Sequence, residues 1–499
     1  MGIKKKSAAF LAVASLTSCG LIRDYDRSSY ALDSKVYASV FTEGANKQIQ
    51  TILTRETTPE IIKTAVNNNP DIRAGIYAND YVRNLSANTD AQYLPRIGAQ
   101  SSVGIRNNST IGLSNEGRDT KENYFGQLFL SQRLPWGLSG KVFGDYNQLG
   151  SETSDGLYGA EVKWDLPWSA TLARQRAMDR LVLQEPAKNL ADFTSSLRTT
   201  LQNVVIEYFG QLRGNTEWLQ VSSEVRLPYL EMIRTVLEKR LKANSEGAEE
   251  RSALSELEGK IQEAKNDIGN LTPAEIFKAK RNLEILLGVD CNNLDPINIR
   301  DDLVDIPYKD ALFLAIQNDP FLRRYQIEIE IAEANLDAAG KIWDVSVVGR
   351  SSTPYHGDVE GEGFVGIQGE FSTDIFGSGV RTGRRAHIAN ARSFNEKSKG
   401  RIDSIRGDLL KVYEDTEKER RNLEFQQREK ERTKEAFDRD FIAFETGNKG
   451  VTLERISKLA EDNTRATIGV LNARKSITIN QHLIRVKMGV YDNLASGHE

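Results

Sequence analysis

Long hydrophobic runs are missing from this chain. No stretch of about 20 consecutive apolar residues occurs in its 499 residues, which excludes an ordinary transmembrane helix. A β-barrel stays open, because strands that alternate between two environments give a weak hydropathy signal. The apolar share, 39% with a mean hydropathy of -0.47, suffices for helix seams but not for several thick cores. Cysteine is nearly absent: Cys19 and Cys291 are the two present, too few for a disulfide framework. Cys291 reads as a small, half-buried linker residue. Four histidines, His356, His387, His482 and His498, show no metal-ligand spacing. No nucleophile elbow or pair of catalytic carboxylates stands out. The glycine-rich stretch 377–383 has the wrong spacing for a dinucleotide loop and no βαβ surroundings, so it reads as a strand-to-helix turn. No enzyme, cofactor or metal is expected. The formal net charge of -4 lacks the basic footprint of a nucleic-acid binder.

What is present begins at the N-terminus. Lys4, Lys5 and Lys6 precede an apolar stretch at 8–16, the pattern of a secretory signal. It ends in Leu16-Thr17-Ser18-Cys19, which resembles a bacterial lipobox. That resemblance implies cleavage before Cys19 and its acylation; a chance cysteine near an ordinary cleavage site is the alternative. Loss of residues 1–18 removes three lysines and moves the charge to -7. Acyl chains add about 0.8 kcal/mol of membrane affinity per buried CH₂, so a multiply acylated Cys19 is a firm anchor. Gly20, where an Asp is the usual inner-membrane signal, favours the outer membrane.

The dominant feature is helical length. Leu190, Phe193, Leu197, Leu201, Val204, Tyr208 and Leu212 recur at steps of three and four, one face of a helix. A helix over 169–243 would span roughly 105 Å. A second long helix is expected over 381–445, and returning helices over 251–287 and 452–490. Pro186 and Pro228 are expected to kink the first. Ile402, Ile405, Leu409 and Val412 open the second on a heptad-like seam. The dense mixed charge at 413–440 reads as a solvated face. The helical turns fall near Glu246-Gly247 and Gly447-Lys449-Gly450, where glycine can end a helix.

The chain is also duplicated. Ala65, Asn68 and Arg73 recur as Ala315, Asn318 and Arg323, each 250 positions later, and aromatic Tyr93 as Trp343. In each copy a proline, Pro59 or Pro307, is expected at helix position N1, and Asn-Pro or Asp-Pro separates that helix from the next. Strands follow. Ala160, Val162, Trp164 and Leu166 alternate with Gly159, Glu161, Lys163 and Asp165. Weaker alternation marks 97–106, 124–134 and 141–147, and in the second copy 345–350 and 365–371, around a turn-rich stretch at 354–358. Tyr124, Phe125, Trp136, Tyr146, Tyr158, Trp164 and Trp168 cluster near strand ends, as in a membrane-interface girdle. A soluble sandwich with core aromatics would use them too; the anchor and the long helices favour the barrel. The first copy carries 41 extra residues in this region, enough for one more hairpin.

The duplicated Asn-Pro-type helices, strands, long helical hairpins and lipobox together resemble the TolC-like outer-membrane efflux proteins, from residue 19 to about 492. The resemblance implies a mainly α fold with a membrane β-barrel, the strand-pair and helical-hairpin repeat forming a homotrimeric barrel plus an α-helical periplasmic tunnel. It implies an exit duct for small toxic molecules or polypeptides in the outer membrane. It also implies docking onto a periplasmic adaptor and an inner-membrane transporter through the hairpin tips, here Glu246, Gly247, Gly447, Lys449 and Gly450. The family's acidic tip ring falls on Glu454, with Ser457 in the second position; Glu454 as a plain surface residue is the alternative. A departure is the strand count, six readable against four in the family, so that either the barrel is wider or two strands lie outside it. The expected parts are a signal peptide (1–18), an anchored arm (19–57), short helices (58–94), strands (95–168), a helical hairpin (169–290), a linker (291–305), then short helices (306–344), strands (345–378), a hairpin (379–492) and a tail (493–499). The competing class is a periplasmic structural or adaptor lipoprotein with coiled-coil hairpins and no pore.

Overall fold

Short helices, strands and a long helical hairpin succeed one another, and then do so again. The computed structural model describes residues 59–90, 94–107, 120–134, 136–149, 153–243, 248–292, 303–341, 343–356, 363–371, 378–446 and 450–495. The first copy opens with α1 (Glu60–Asn68) and α2 (Pro70–Asp90), and the second with α9 (Tyr308–Gln317) and α10 (Pro320–Gly340). The bounds of α2 and α10 differ by 250 at both ends. Apolar positions 61, 65 and 66 are buried in α1, and so are 311, 315 and 316 in α9. The prolines take a different place from the expected one. Pro59 and Pro307 are N-caps with extended backbone, while Pro70 and Pro320 stand at N1 of the second helices. Their fixed φ suits the first helical turn, where the missing N–H has no partner to lose.

The sheet has six strands, β1 (Arg96–Asn107), β2 (Thr120–Arg133), β3 (Leu138–Leu149), β4 (Thr153–Asp165), β5 (Trp343–His356) and β6 (Gly363–Phe371). Each pairs antiparallel with the next, in the order β1-β2-β3-β4-β5-β6. No described strand therefore lies outside the sheet, and β4–β5 joins the two copies. The stretch expected to turn at 354–358 instead continues β5 through Pro354 to His356. A register shift between Gly156 and Leu157 of β4 sits opposite, and such a bulge accommodates a proline that cannot donate to the ladder.

The first long helix runs as α3 (Ala170–Leu181), α4 (Gln184–Val205), α5 (Gly214–Val221) and α6 (Leu227–Ala243), with π-helical turns at Ile206–Arg213 and Ser222–Arg226. It returns as α7 (Ala248–Asn266), a π-turn at Asp267–Leu271 and α8 (Thr272–Leu287). The break at 182–183 precedes Pro186. Pro228 leaves the helix continuous, because the widened turn just before it absorbs the lost hydrogen bond. Pro273 follows a π-turn in the same way. These two turns face each other, and Arg226 Nη1 donates to Asp267 Oδ2 at 2.8 Å. The second hairpin is plainer: α11 (Ser378–Glu445) is unbroken over 68 residues, about 100 Å, and α12 (Leu453–Lys487) returns from an N-cap at Thr452, whose Oγ1 accepts from Arg455 N.

Both returning helices end midway, where a helix leading up to the sheet begins. Gly288 (φ 69) closes α8, and Gly489 (φ 72) lies just past α12. A Cβ on Gly288 would stand 2.5 Å from the Asn68 carbonyl oxygen. Asn69 caps α2 by accepting from Ile72 N at 2.9 Å, and its amide donates to Leu286 O at 2.7 Å. Asp319 caps α10 by accepting from Leu322 N at 3.0 Å, while its other oxygen accepts from Arg401 Nη2 at 2.8 Å. Asn318 Nδ2 donates to Met488 O at 2.9 Å, and Arg198 pairs with Asp492.

Around this level lies a core of Ile62, Leu201, Tyr208, Phe209, Leu283 and Cys291. Cys291 is more buried than expected, 1% exposed, and burial pushes its thiol up. His482 of α12 stacks on Phe209 at 4.6 Å, with Nδ1 3.2 Å from the Tyr491 hydroxyl. Burial, with Arg485 adding repulsion, pushes this imidazole down to about 3.

Two outcomes follow from these junctions. Asn69→Ala, which removes a cap, should lower unfolding free energy by about 1–2 kcal/mol. Asp319→Ala, which also removes the ion pair with the partly exposed Arg401, should cost about 2–3 kcal/mol, with Asp319→Asn between the two; denaturant titration by circular dichroism in detergent reads all three. For His482 the folded pKa lies below the unfolded value of about 6.5. Only the unfolded chain binds that proton between roughly pH 6.5 and 3, so stability falls as pH drops through that window and is untouched above it. Denaturation midpoints at pH 7 and pH 5 should differ less in His482→Phe than in the wild type. Equal differences would remove His482 from the acid sensitivity.

Candidate functional site

The sheet separates two chemistries by the alternation of its side chains. On one face stand Ile97, Val103, Leu128, Leu130, Val142, Val162, Val347, Val365 and Ile367, and among the described side chains this face carries no charge. Most of these are open to solvent; Ile97 is 80% and Val365 83% exposed. Tyr124, Tyr146 and Tyr158 lie towards one end of the same face, and Trp164 at the other, with Trp136 and Trp168 exposed just beyond the strands. Tyr158 and Trp164 are six residues apart, roughly 20 Å along the strand. Phe125 alternates to the opposite face and leaves the girdle expected from the sequence.

That opposite face carries Arg96, Arg133, Lys141, Asp145, Glu161, Lys163, Asp165 and Arg350. One row across the strands reads Arg96, Ser131, Lys141, Glu161, Arg350 and Phe364, three cations to one anion. Phe143 lies between two of those cations, 5.7 Å from Lys141 Nζ and 4.9 Å from the Arg350 guanidinium carbon. Lys141 also donates to Gln127 at 2.8 Å, and Lys163 pairs with Asp165 at 3.1 Å. At the helix end of the sheet, Asp344 accepts from Ser169 Oγ at 3.0 Å and from Thr171 Oγ1 at 2.5 Å, which ties β5 to the start of α3.

At the far end of the hairpins α6, α7, α11 and α12 close around Leu230, Ile233, Leu237, Leu257, Phe437 and Ile456. Polar links cross between the two hairpins. Asn463 Nδ2 donates to the Tyr229 hydroxyl at 3.1 Å, and Lys260 pairs with Glu461 at 3.0 Å. The Arg240 guanidinium lies 4.0 Å over the Phe444 ring and donates to the Phe444 carbonyl. Burial, then Asp438, raises the Tyr229 phenol, although the Asn463 bond opposes this. Burial would raise Asp440 too, but hydrogen bonds from Arg439 and Arg455 hold it below the usual carboxylate range.

The sequence-derived tip residues fall unevenly. Glu454 is exposed in the first turn of α12, where the helix dipole favours an acid. Ser457 is 6% exposed and packs within the chain, so Glu454 alone of this pair meets solvent. Gly450 is an exposed turn residue. Cys19, Glu246, Gly247, Gly447 and Lys449 lie outside the described residues. Sequence reasoning missed Asp440, Arg455 and Asn463. The run 413–440 is not wholly a solvated face, since Thr416, Thr433 and Asp440 are buried. The available signal was symmetry: Asp440 and Arg455 stand either side of the hairpin turn, where an antiparallel pair brings them together.

No family sequence model matches the chain, and no curated protein matches it in sequence. Solved structures do match in fold. CusC, described for its folding and transmembrane channel formation, is 16% identical with a TM-score of 0.57, over 87% of this chain and 95% of that one. The open state of the MtrE outer membrane channel of Neisseria gonorrhoeae is 14% identical with a TM-score of 0.56, over 86% and 88%. The outer membrane protein VceC of Vibrio cholerae is 13% identical with a TM-score of 0.55, over 86% and 95%. The fold is that of the TolC-like outer-membrane efflux channels.

Proposed function

We propose that this chain is the outer-membrane exit duct of an export system. The observation that carries the proposal is a sheet with one uncharged, aromatic-ended face and one charged face, running directly into helical hairpins about 100 Å long. Lipid outside and water inside is the environment that such a sheet suits. Three copies close their sheets into one barrel and their hairpins into one periplasmic tunnel. Acylated Cys19 and the arm at 19–57 hold each copy to the membrane. The tips, with Glu246, Gly247, Gly447, Lys449 and Gly450, meet a periplasmic adaptor that is coupled to an inner-membrane transporter. Exposed Glu454 supplies a ring of three carboxylates that favours cations at the tip. Small toxic molecules or polypeptides are the cargo, and the protein is not an enzyme.

Negative-stain electron microscopy of the mature protein in detergent should show a threefold cylinder of roughly 100 Å or more. A monomeric rod or a compact particle would return the chain to a lipoprotein spacer without a pore. In planar bilayers under a salt gradient, Lys141→Glu combined with Arg350→Glu should move the reversal potential towards cation preference, because rings of charged side chains set selectivity. An unchanged potential would take the charged face out of the lumen. At the tip, Lys260→Glu with Arg240→Ala removes two links between hairpins and should raise the fraction of time in the conducting state severalfold; single-channel recording that finds no rise would exclude these links as a latch.

A further inference from the structure

The charged face of the sheet holds two of its cations on aromatic rings rather than on carboxylates. Next to the row Arg96, Ser131, Lys141, Glu161, Arg350 and Phe364, the same face carries the row Gly98, Phe129, Phe143, Gly159 and Ser352. Each of these phenylalanine rings covers a neighbouring glycine. A Cβ on Gly98 would run into the Phe129 ring, and one on Gly159 would stand 2.8 Å from Phe143 Cζ. The negative face of an aromatic ring attracts a cation. Lys141 Nζ lies 4.6 Å from the centre of the Phe129 ring, and the Arg350 guanidinium 4.9 Å from that of Phe143. Glu161 stands between these two cations in the row and forms an ion pair with neither, because both heads lean towards the rings. A cation at rest on a ring keeps hydrogen-bond donors for a ligand; one paired with a carboxylate, as Lys163 is with Asp165, has spent them.

Beside these rings lies an open hollow of about 380 Å³, lined by Arg96, Ser131, Arg133, Ser139, Lys141 and Glu161. Neither Arg96 nor Arg133 has an ion-pair partner among the described residues. Arg96, Arg133, Lys141 and Arg350 therefore share one acid, Glu161. Strands about 4.8 Å apart place Arg96, Lys141 and Arg350 at intervals of about 10 Å along their row. The Debye length at physiological salt is about 8 Å, so neighbouring cations act together on an ion at the wall. The Glu454 carboxylates, a tunnel length away, do not reach it. Phe364 follows Arg350 in the same row and is 59% exposed, a bare apolar surface on a polar face. The hairpin β2–β3 supplies Phe129, Arg133, Lys141 and Phe143. It is the part that the second copy lacks: Tyr93 before β1 matches Trp343 at β5, and β4 leads into a long helix as β6 does.

We infer that the barrel lumen carries, near its helix end, a binding belt for amphiphilic organic anions: solutes with carboxylate, sulfonate or phosphate heads on an aromatic or other apolar body. This rests on the threefold duct proposed above, in which the charged face lines the lumen. Arg96, Arg133 and Arg350 offer planar, forked donors to the oxygens of the head. Lys141 adds a point charge, the Ser131 and Ser139 hydroxyls add neutral donors, and Phe364 packs against the apolar body. Three copies repeat the set around the lumen. Conduction needs binding that is favourable enough to enter and weak enough to leave, and several weak sites at one level provide both.

Equilibrium dialysis of naphthalene-1,5-disulfonate against the full-length protein in nanodiscs of zwitterionic lipid is the test, with empty nanodiscs as the blank. Negative-stain images of the same preparation show whether threefold cylinders are present. Saturable binding that weakens as salt rises is the expected result, with no saturable binding of a naphthalene that bears two quaternary ammonium groups. Arg96→Gln with Arg133→Gln should weaken disulfonate binding by about tenfold or more. Glu161→Gln, which removes the one acid of the hollow, should tighten it severalfold, a gain that a folding defect does not imitate. If the double variant does not assemble, Glu161→Gln decides. Cylinders that bind neither naphthalene, bind both alike, or bind the disulfonate equally in all variants would overturn the belt and leave the duct intact. A preparation without threefold cylinders would overturn the duct, and the belt with it.

Discussion

Two capped helix ends halfway along the molecule hold the rest in place. A helix that stops leaves backbone carbonyls without partners, and one that starts leaves N–H groups in the same state. At the levels of Gly288 and Gly489 a returning helix stops beside a helix that starts; Asn69, Leu287 and Gly489 are buried there, while Gly288 itself is exposed. Asn69 resolves one junction with a single side chain: its oxygen takes the Ile72 N–H and its amide nitrogen meets the Leu286 carbonyl. Asp319 resolves the other with a carboxylate, which cannot donate; Asn318 instead supplies the bond to Met488 O, and Arg401 balances the charge. The same problem, repeated 250 residues later, thus has two chemical answers. The interrupted columns depend on both for their alignment with the sheet.

The long hairpins differ for a related reason. The first contains Pro228 and Pro273, each just after a π-turn, and the second runs α11 without interruption. A proline removes one ladder bond and crowds the carbonyl four residues back. A wider turn moves that carbonyl away, so the helix continues. The two π-turns lie opposite each other and are joined by Arg226 and Asp267, so both helices of the pair widen at one level. The uninterrupted hairpin packs against this one, and polar side chains such as Asn463 and Arg240 bridge the contact.

Most of this architecture was legible in the chain. Helical periodicity gave the long helices to within a few residues, and the 250-residue repeat gave α1, α2, α9 and α10 because capping chemistry is local. The six strands were legible as weak alternation, but their membership of one sheet was not, since strand pairing is decided by contacts far apart in sequence. Pro354 suggested a turn where β5 continues, because β5 takes one extra residue beside Pro354 against Gly156 and Leu157 of β4, a bulge that no local pattern announces. At the tip, composition suggested a wet surface; burial of Asp440 and Asn463 depends on a partner helix that only the turn brings back. Ser457 shows the same limit, since its helix face is set by packing that no local pattern records.

In the proposed duct, the orientation of the sheet rests on its charges more than on its apolar residues. Exposed valines and tyrosines are tolerated in water as well as in lipid, so the uncharged face alone is a weak argument. A basic side chain at the middle of a bilayer costs about 2–4 kcal/mol, and in a strand every residue of one face shares its fate. Turning the sheet over would place Lys141, Lys163 and Arg350 in lipid together, with Glu161 and Asp145 beside them. A one-residue slip of any strand would do the same for that strand, because the side-chain period is two. The inserted hairpin obeys the same alternation as its neighbours, with Lys141 on the charged face and Val142 on the uncharged one.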